Sequence, residues 1–202
     1  MANEVVRLKN GVTERDHAAG PASAPVTLLE YGNFECIDCG RVYSEIQKVR
    51  KVLGDNLRFV FRHFPMVRTH PHSLRAAETS EAAAAQNKFW EMHDQLFTHQ
   101  NALSDKDLLR HAKHIGLDLE RFSRDMAEHN FLKQIEADYD RSLFDEHITG
   151  TPTLYLNEVR YSGKTDSASL LEAIELSDTE KTIKLPQPDK GIRSLLDRLR
   201  RP

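Results

Sequence analysis

The only two cysteines of this 202-residue chain lie in the segment Phe34-Glu35-Cys36-Ile37-Asp38-Cys39-Gly40. A strand-like run, Val26–Tyr31, precedes the segment, and an amphipathic helical pattern follows from Ile37 to Leu53. When a C-x-x-C opens a helix, its first sulfur lies near unpaired backbone N–H groups and the positive end of the helix dipole. Both features favour the thiolate, so the context predicts a redox-active pair.

The spacing of the two cysteines suits thiol–disulfide exchange. Cys36 is the predicted nucleophile, and Cys39, one helical turn later, is placed to attack a mixed disulfide at Cys36 and release the substrate. This chemistry implies no organic cofactor and assigns no metal. The expected partners are protein or small-molecule disulfide and thiol substrates, together with an unidentified redox partner.

Composition and charge exclude several other classes of protein. A chain of 202 residues can bury a sufficient core without disulfides or metals. The formal net charge of −3, from 28 basic and 31 acidic residues, gives no electrostatic footprint for nucleic acid. No run approaches membrane-spanning length and the first ten residues do not resemble a signal peptide, so we expect a cytoplasmic protein without a membrane span.

The order of the remaining patterns predicts a mixed α/β chain. Leu57–Arg62 reads as a second strand, which gives a right-handed β-α-β unit with the first. Residues 73–144 are rich in Ala, Glu, Leu, Lys and Gln with helical periodicity, which predicts four or five helices. Strand character returns in a hairpin of Thr153–Leu156 and Val159–Tyr161, followed by a last helix at 167–176.

These patterns predict a sheet core that is interrupted by helices. Residues 1–72 and 147–180 are assigned to the core, with a short strand around Val5 to Leu8. Residues 73–146 are assigned to an inserted, all-helical subdomain, and residues 181–202 to a C-terminal tail.

A second motif lies directly before the late hairpin. The dipeptide Thr151-Pro152 occupies a tight connection, where X-Pro bonds are the usual candidates for cis geometry. If this proline faces the C-x-x-C, the backbone of Thr151 is available to pair with an extended substrate segment beside the sulfur.

Together, these motifs resemble the DsbA-like thiol:disulfide oxidoreductases of the thioredoxin superfamily. The resemblance runs from about Asp16 to Leu176 and implies a thioredoxin-like mixed sheet with a helical domain inserted between its β-α-β and β-β-α halves. The motifs that carry it are Pro25-Val26-Thr27, Glu30-Tyr31, Phe34-Glu35-Cys36-x-x-Cys39-Gly40, the helical insert and Gly150-Thr151-Pro152-Thr153.

The resemblance also assigns roles to individual residues. Cys36 matches the attacking cysteine, Cys39 the resolving cysteine, and Pro152 the cis-proline with Thr151 before it. Glu30 matches a buried acid that assists proton transfer at the buried thiol. The alternative for Glu30 is an exposed carboxylate at the end of a strand.

The two residues between the cysteines depart from many relatives, which carry Pro first and His or an aromatic residue second. Here they are Ile37 and Asp38, and Asp38 with Glu35 places negative charge near the sulfur. We therefore hypothesise a weaker oxidant than the periplasmic members, one that reduces or isomerises disulfides in a reducing cytoplasm. On this hypothesis, Asp38→His raises the reduction potential.

Two alternative functions remain open from the sequence. One is a zinc site in which the cysteines combine with histidines after the second strand, namely His63, His70 and His72. The other is a redox-inert, partner-binding module with the same fold. Three further histidines are interpreted as solvated helix positions: His93, His111 and His114.

Overall fold

The computed structural model describes residues 5–177. The strands of this part are β1 (His17–Ala19), β2 (Val26–Gly32), β3 (Leu57–His63), β4 (Thr153–Leu156) and β5 (Val159–Tyr161). The α-helices of the same part are α1 (Ile37–Leu53), α2 (Ser73–Ala84), α3 (Phe89–Thr98), α4 (Asp105–His114), α5 (Leu119–Ala127), α6 (Leu132–Phe144) and α7 (Ser167–Ser177).

The strands form one mixed sheet in the order β1-β3-β2-β4-β5. The central pair, β2 and β3, is parallel and is joined through α1, whereas β1, β4 and β5 each pair antiparallel with their neighbours. Glu30 of β2 is paired with Phe61 of β3 on one side and with Leu154 of β4 on the other. The middle of β2 therefore lies in the centre of the sheet, flanked by strands on both sides.

Alternation of side chains gives the sheet two apolar faces. Leu28, Phe59 and Phe61 lie on the face that packs against α1, α7 and the first helices of the insertion. Leu29 and Tyr155 lie on the opposite face, which α6 covers with Tyr139 and Leu143.

Five helices, α2 to α6, separate β3 from β4 in the chain. Two of them begin at side-chain caps: the Ser104 hydroxyl accepts a hydrogen bond from the Asp107 N–H, and the Asp118 carboxylate accepts from the N–H groups of Glu120 and Arg121.

The mixed sheet and the five helices between β3 and β4 confirm the predicted thioredoxin-like α/β core with a helical insertion. The exact boundaries of the subdomains stay a prediction.

The first part of the chain differs from the sequence prediction. In place of a strand at Val5 to Leu8, a single bridge joins Arg7 to Val159. The first strand is β1, at the opposite edge of the sheet from this bridge. The sequence pattern did not indicate it because three residues are too few for a periodic signal. The predicted tail, residues 181–202, lies outside the described residues.

Two histidines interpreted as solvated are buried. His93 is 1% exposed among the rings of Phe34, Phe61 and Trp90, and His111 is 3% exposed. That interpretation was wrong because both lie on the apolar side of amphipathic helices. His114 is exposed as expected.

Within residues 5–177, none of the helices combines the length and the apolar character needed to cross a membrane.

Candidate active site

Cys36 lies at the junction of β2 and α1. It has extended backbone angles as the residue before the helix, and the Gly40 N–H donates to its carbonyl at 3.1 Å to begin the helical ladder. Asn33 shapes the approach, because its side-chain oxygen accepts from the Glu35 N–H and its carbonyl accepts from the Cys36 N–H. The sulfur of Cys36 is thereby held over the first turn of α1.

The pKa of the Cys36 thiol is lowered to about 5. The hydrogen bond from the Cys39 thiol is the largest cause of this shift, and burial opposes it. The backbone N–H groups of Cys39 and Asp38 lower the pKa further. These donors are the unpaired N–H groups of a helix N-terminus. Cys36 is consequently a thiolate at neutral pH in the reduced protein.

The pKa of the Cys39 thiol is shifted in the opposite direction, well above its ordinary value of 9.0. Burial is the main cause, since Cys39 is fully buried, and the negative charges of Cys36 and Glu30 add to it. Both cysteines are free thiols in this structure. The pair therefore combines one reactive thiolate with one protonated, protected thiol.

Glu30 is 1% exposed, in the centre of the sheet, so the alternative of an exposed carboxylate is excluded. Burial, with a contribution from the Cys36 charge, raises the pKa of Glu30 to about 8. Its Oε1 has no hydrogen-bond partner among the described residues. An uncompensated buried carboxyl of this kind is expensive to maintain and is often functional.

Thr151 and Pro152 lie against the first cysteine. Their peptide bond is cis, and the Cys36 sulfur is 3.5 Å from the Thr151 carbonyl oxygen. The Thr151 hydroxyl lies 3.9 Å from the Met66 sulfur, so the loop after β3 is also close. The structure thus brings together all the residues that the sequence assigned to catalysis and substrate binding.

The acidic side chains near the motif are paired with residues other than the cysteines. Asp38 is 66% exposed and pairs with Arg41 at 2.7 Å. Glu35 accepts hydrogen bonds from the His72 N–H and ring, at 2.6 and 2.8 Å. Ile37, between Cys36 and Asp38, is 68% exposed and forms an apolar rim next to the thiolate.

Gln100 is a site residue that sequence analysis missed. Its side-chain amide donates to the carbonyls of Phe34 and Cys36, at 2.9 and 2.7 Å. A Cβ at Gly40 would lie 2.1 Å from the Gln100 side-chain oxygen, so the Gln100 side chain would have to move to admit it. No sequence signal marks Gln100, because the contact joins a loop after α3 to the active-site turn across 64 positions.

The histidines of the zinc alternative lie elsewhere. His63 contacts Glu81, His70 contacts Thr69 and His72 contacts Glu35. In the described part of the chain, no group with metal-ligand spacing includes a cysteine. The alternative of a zinc site at Cys36 and Cys39 is therefore not supported.

A protein-family model described as Thioredoxin matches residues 12–176. The chain belongs to the thioredoxin family. Two solved structures share its fold and about a quarter of its residues. BdbD from Bacillus subtilis is 26% identical with a TM-score of 0.72, and the alignment covers 86% of this chain and 98% of BdbD. A thioredoxin-like oxidoreductase from Silicibacter pomeroyi is 25% identical with a TM-score of 0.71, covering 82% of this chain and 93% of that one.

The curated relatives of this chain are named as Na(+)/H(+) antiporters. "Na(+)/H(+) antiporter NhaA 1" of Mycolicibacterium gilvum is 46% identical over 165 residues, which are 80% of this chain and 26% of the relative. A protein of the same name from Salinispora arenicola is 42% identical over 163 residues, with 24% of its length covered. The chain thus spans about a quarter of the length of these relatives.

Proposed function

We propose that this DsbA-like chain exchanges disulfides with protein substrates through Cys36 and Cys39. One observation carries the proposal: the two thiols have pKa values shifted in opposite directions, and the thiolate lies against Thr151. A nucleophile that is ionised and a partner that is kept protonated are what a two-step exchange requires.

In the direction that reduces a substrate, the Cys36 thiolate attacks one sulfur of the substrate disulfide. A bond forms between Cys36 and that sulfur, while the other substrate sulfur leaves as a thiolate and takes up a proton. Cys39 then loses its proton and attacks Cys36, which breaks the mixed disulfide. The substrate leaves with two more electrons, and Cys36 and Cys39 are joined; oxidation of a substrate dithiol is the reverse sequence.

Glu30 is the group proposed to take the proton from Cys39. The charge of Glu30 acts on Cys39, and the pKa of Glu30 is raised to about 8, close to the pH at which a cellular enzyme operates. A general base is most effective when its pKa lies near the operating pH. Burial, which makes Glu30 unfavourable for folding, thus suits it to this step.

Protein substrates are supported by the surface around Cys36. The Thr151 carbonyl lies beside the sulfur, where an extended substrate backbone can pair with it. Ile37, which follows Cys36, and Val67, which follows Met66, are exposed apolar side chains of this surface. A neighbouring cleft of about 700 Å³, lined in part by Met66, Leu74 and Tyr139, extends this surface.

The sequence and the structure favour different reduction potentials for the cysteine pair. The sequence hypothesis of a weak oxidant rested on the negative charges of Asp38 and Glu35. Both charges are paired with other residues, and the pKa of Cys36 is lowered despite them. A stabilised thiolate favours the reduced form of the protein, which supports a more oxidising poise.

The antiporter name of the curated relatives does not give an activity for this chain. The match covers about a quarter of each relative, and the Thioredoxin model covers most of this chain. We propose that the corresponding part of those antiporters has the same exchange chemistry, and we assign no transport to this chain. The cytoplasmic location is likewise a proposal, which the in-cell thiol state of Cys36 would test.

The experiment is to trap the mixed disulfide. Cys39→Ala should accumulate covalent adducts with a disulfide-containing protein such as insulin, visible by non-reducing electrophoresis and lost on adding dithiothreitol. Cys36→Ala is the matched control and should form none. Absence of adducts with Cys39→Ala, in protein that retains its circular dichroism spectrum, would contradict the proposal.

The direction of exchange needs a separate measurement. Wild-type protein is equilibrated across a glutathione redox series, and its thiols are counted by alkylation and mass. The midpoint is compared with about −270 mV for thioredoxin and about −120 mV for DsbA.

A further inference from the structure

A second buried polar cluster lies apart from the cysteines, on the same face of the sheet. His17 of β1 is paired with Phe61 of β3, and His63 lies two residues further along β3. Residues that are paired directly, or spaced by two along a strand, share a face. Both imidazoles therefore point to the side covered by α2, which contributes Glu81.

The three side chains converge on one point. The ring Nε2 atoms of His17 and His63 lie 2.6 and 2.8 Å from the same oxygen, Oε1 of Glu81. All three candidate ligand atoms lie within 4.8 Å of one another. The His17 ring is stacked on Phe89, with centroids 3.5 Å apart and planes within 6°, so its orientation is fixed by packing.

The cluster is buried on one side and open on the other. His63 and Glu81 have side chains that are 6% and 7% exposed, whereas His17 is 20% exposed. All three line a cavity of about 1070 Å³. Arg62 and Arg141 line the same cavity, but they are paired with Asp16 and Asp138, respectively.

We propose that His17, His63 and Glu81 bind a divalent transition-metal ion, for which Zn²⁺ is the best match, with a coordination position left open toward the cavity. Two imidazoles and one carboxylate, with a fourth position for water or another ligand, form a recognised zinc donor set. The same three donors also suit other first-row divalent ions, so selectivity depends on geometry and availability. None of the three donors is a residue of the exchange site.

Metal binding requires a small change in the cluster. Ligands at 2.0 to 2.1 Å in a tetrahedron are separated by roughly 3.3 Å, so the nitrogen–oxygen distances of 2.6 and 2.8 Å must increase by about 0.7 and about 0.5 Å. The Nε2 atoms, which face the carboxylate as hydrogen-bond donors, must also give up their protons to the solvent or to Nδ1. The His17 ring, which is partly exposed, can make this change by sliding within its own plane over Phe89, so that the stacking is kept.

The test is a titration of protein without a histidine tag, in which Cys36 and Cys39 are first joined as a disulfide so that thiolates cannot bind metal. Zn²⁺ is added in a calorimeter, and Co²⁺ is followed by its visible absorption. We expect saturation at one ion per chain. His17→Ala and Glu81→Gln should each weaken Zn²⁺ binding at least about tenfold.

The matched control is His114→Ala, which removes an exposed histidine from α4 and should leave the titration unchanged. Circular dichroism confirms that each variant is folded. The proposal is overturned if the oxidised protein binds no Zn²⁺, or if His17→Ala and Glu81→Gln bind it as the wild type does. Loss of exchange activity would not affect this result, and failure of the titration would not affect the exchange proposal.

Discussion

Glu30 and Glu81 are both buried carboxyl groups on the same side of the sheet, yet they have opposite protonation states. Glu30 is 1% exposed, its Oε1 lacks a hydrogen-bond partner among the described residues, and its pKa is raised to about 8. Glu81 is 5% exposed, but hydrogen bonds from His17 and His63 overcome the effect of burial and lower its pKa to about 2. Burial raises the pKa at both sites, and the presence or absence of hydrogen-bond donors decides whether the carboxyl group is ionised at neutral pH.

The difference separates two uses of a buried acid. Glu30, with a pKa of about 8, is ionised in a minor fraction of molecules at neutral pH, and this ionised form can accept a proton from Cys39 and later return it. Glu81, which is always ionised at neutral pH, can hold cations and histidines in place. The following predictions test this contrast, beginning with the largest expected effect.

Replacing Glu81 with Ala should lower the free energy of unfolding by about 3 kcal/mol at pH 7, because a pKa moved from 4.5 to about 2 corresponds to that amount. This stability is present above pH 4.5 and is lost as the pH falls toward 2. Urea unfolding with EDTA present, from pH 3 to pH 7, measures it. Glu175→Ala, at an exposed position on α7, should change little; equal losses in both variants would refute the assignment.

Replacing Glu30 with Gln should instead raise the free energy of unfolding, by about 3 kcal/mol at pH 7. Above pH 4.5 the unfolded chain ionises this group, while the folded protein keeps it protonated up to about pH 8. The wild type therefore loses stability as the pH rises from 4.5 to 8, and the variant does not. Paired urea titrations at pH 4 and pH 7 give the test, and a gain of equal size at both values would contradict the raised pKa.

The same Glu30→Gln variant should release substrate from the mixed disulfide about 100-fold more slowly, the usual size of a general-base contribution. Attack by Cys36 on the substrate should keep its rate, because Cys36 is already ionised. Stopped-flow kinetics with a peptide disulfide separates the two steps. Equal slowing of both steps would indicate a structural role for Glu30.

The reduction potential should fall by about 30 mV per pH unit between pH 5.5 and pH 8, since reduction then takes up two electrons and one proton. This follows from the low pKa of Cys36 and the high pKa of Cys39. Glutathione equilibria at several pH values supply the slope, and the Glu30→Gln protein removes any contribution from that carboxyl. A slope near 60 mV would mean that Cys36 is protonated.

The smallest effect is expected for Asp38→His, a change in potential within about 30 mV, equivalent to about 1.4 kcal/mol. Asp38 is exposed and paired with Arg41, so its charge is screened from the sulfur. The hypothesis drawn from sequence expects a distinct rise instead. Measurement against Asp38→Asn distinguishes loss of the negative charge from gain of an imidazole.

The sequence by itself determined the features that depend on neighbours along the chain. Periodicity located α1, β2 and the late hairpin, and the position of the C-x-x-C between a strand and a helix identified the thiol pair. The resemblance to the DsbA-like family marked Glu30 as a candidate, and the apolar strand around it gave support, because an acid is costly to bury without a partner or a function. These signals are local, and local geometry is fixed by spacing.

Only the tertiary structure decided what depends on contacts between distant segments. The cluster of His17, His63 and Glu81 draws on β1, β3 and α2, and Gln100 reaches the active-site turn from the end of α3. The charge of Asp38 was visible in sequence, but its direction and its pairing with Arg41 were not. Coulomb and desolvation effects fall off with distance in space, so no pattern along the chain could give the pKa of Cys36 or of either carboxyl.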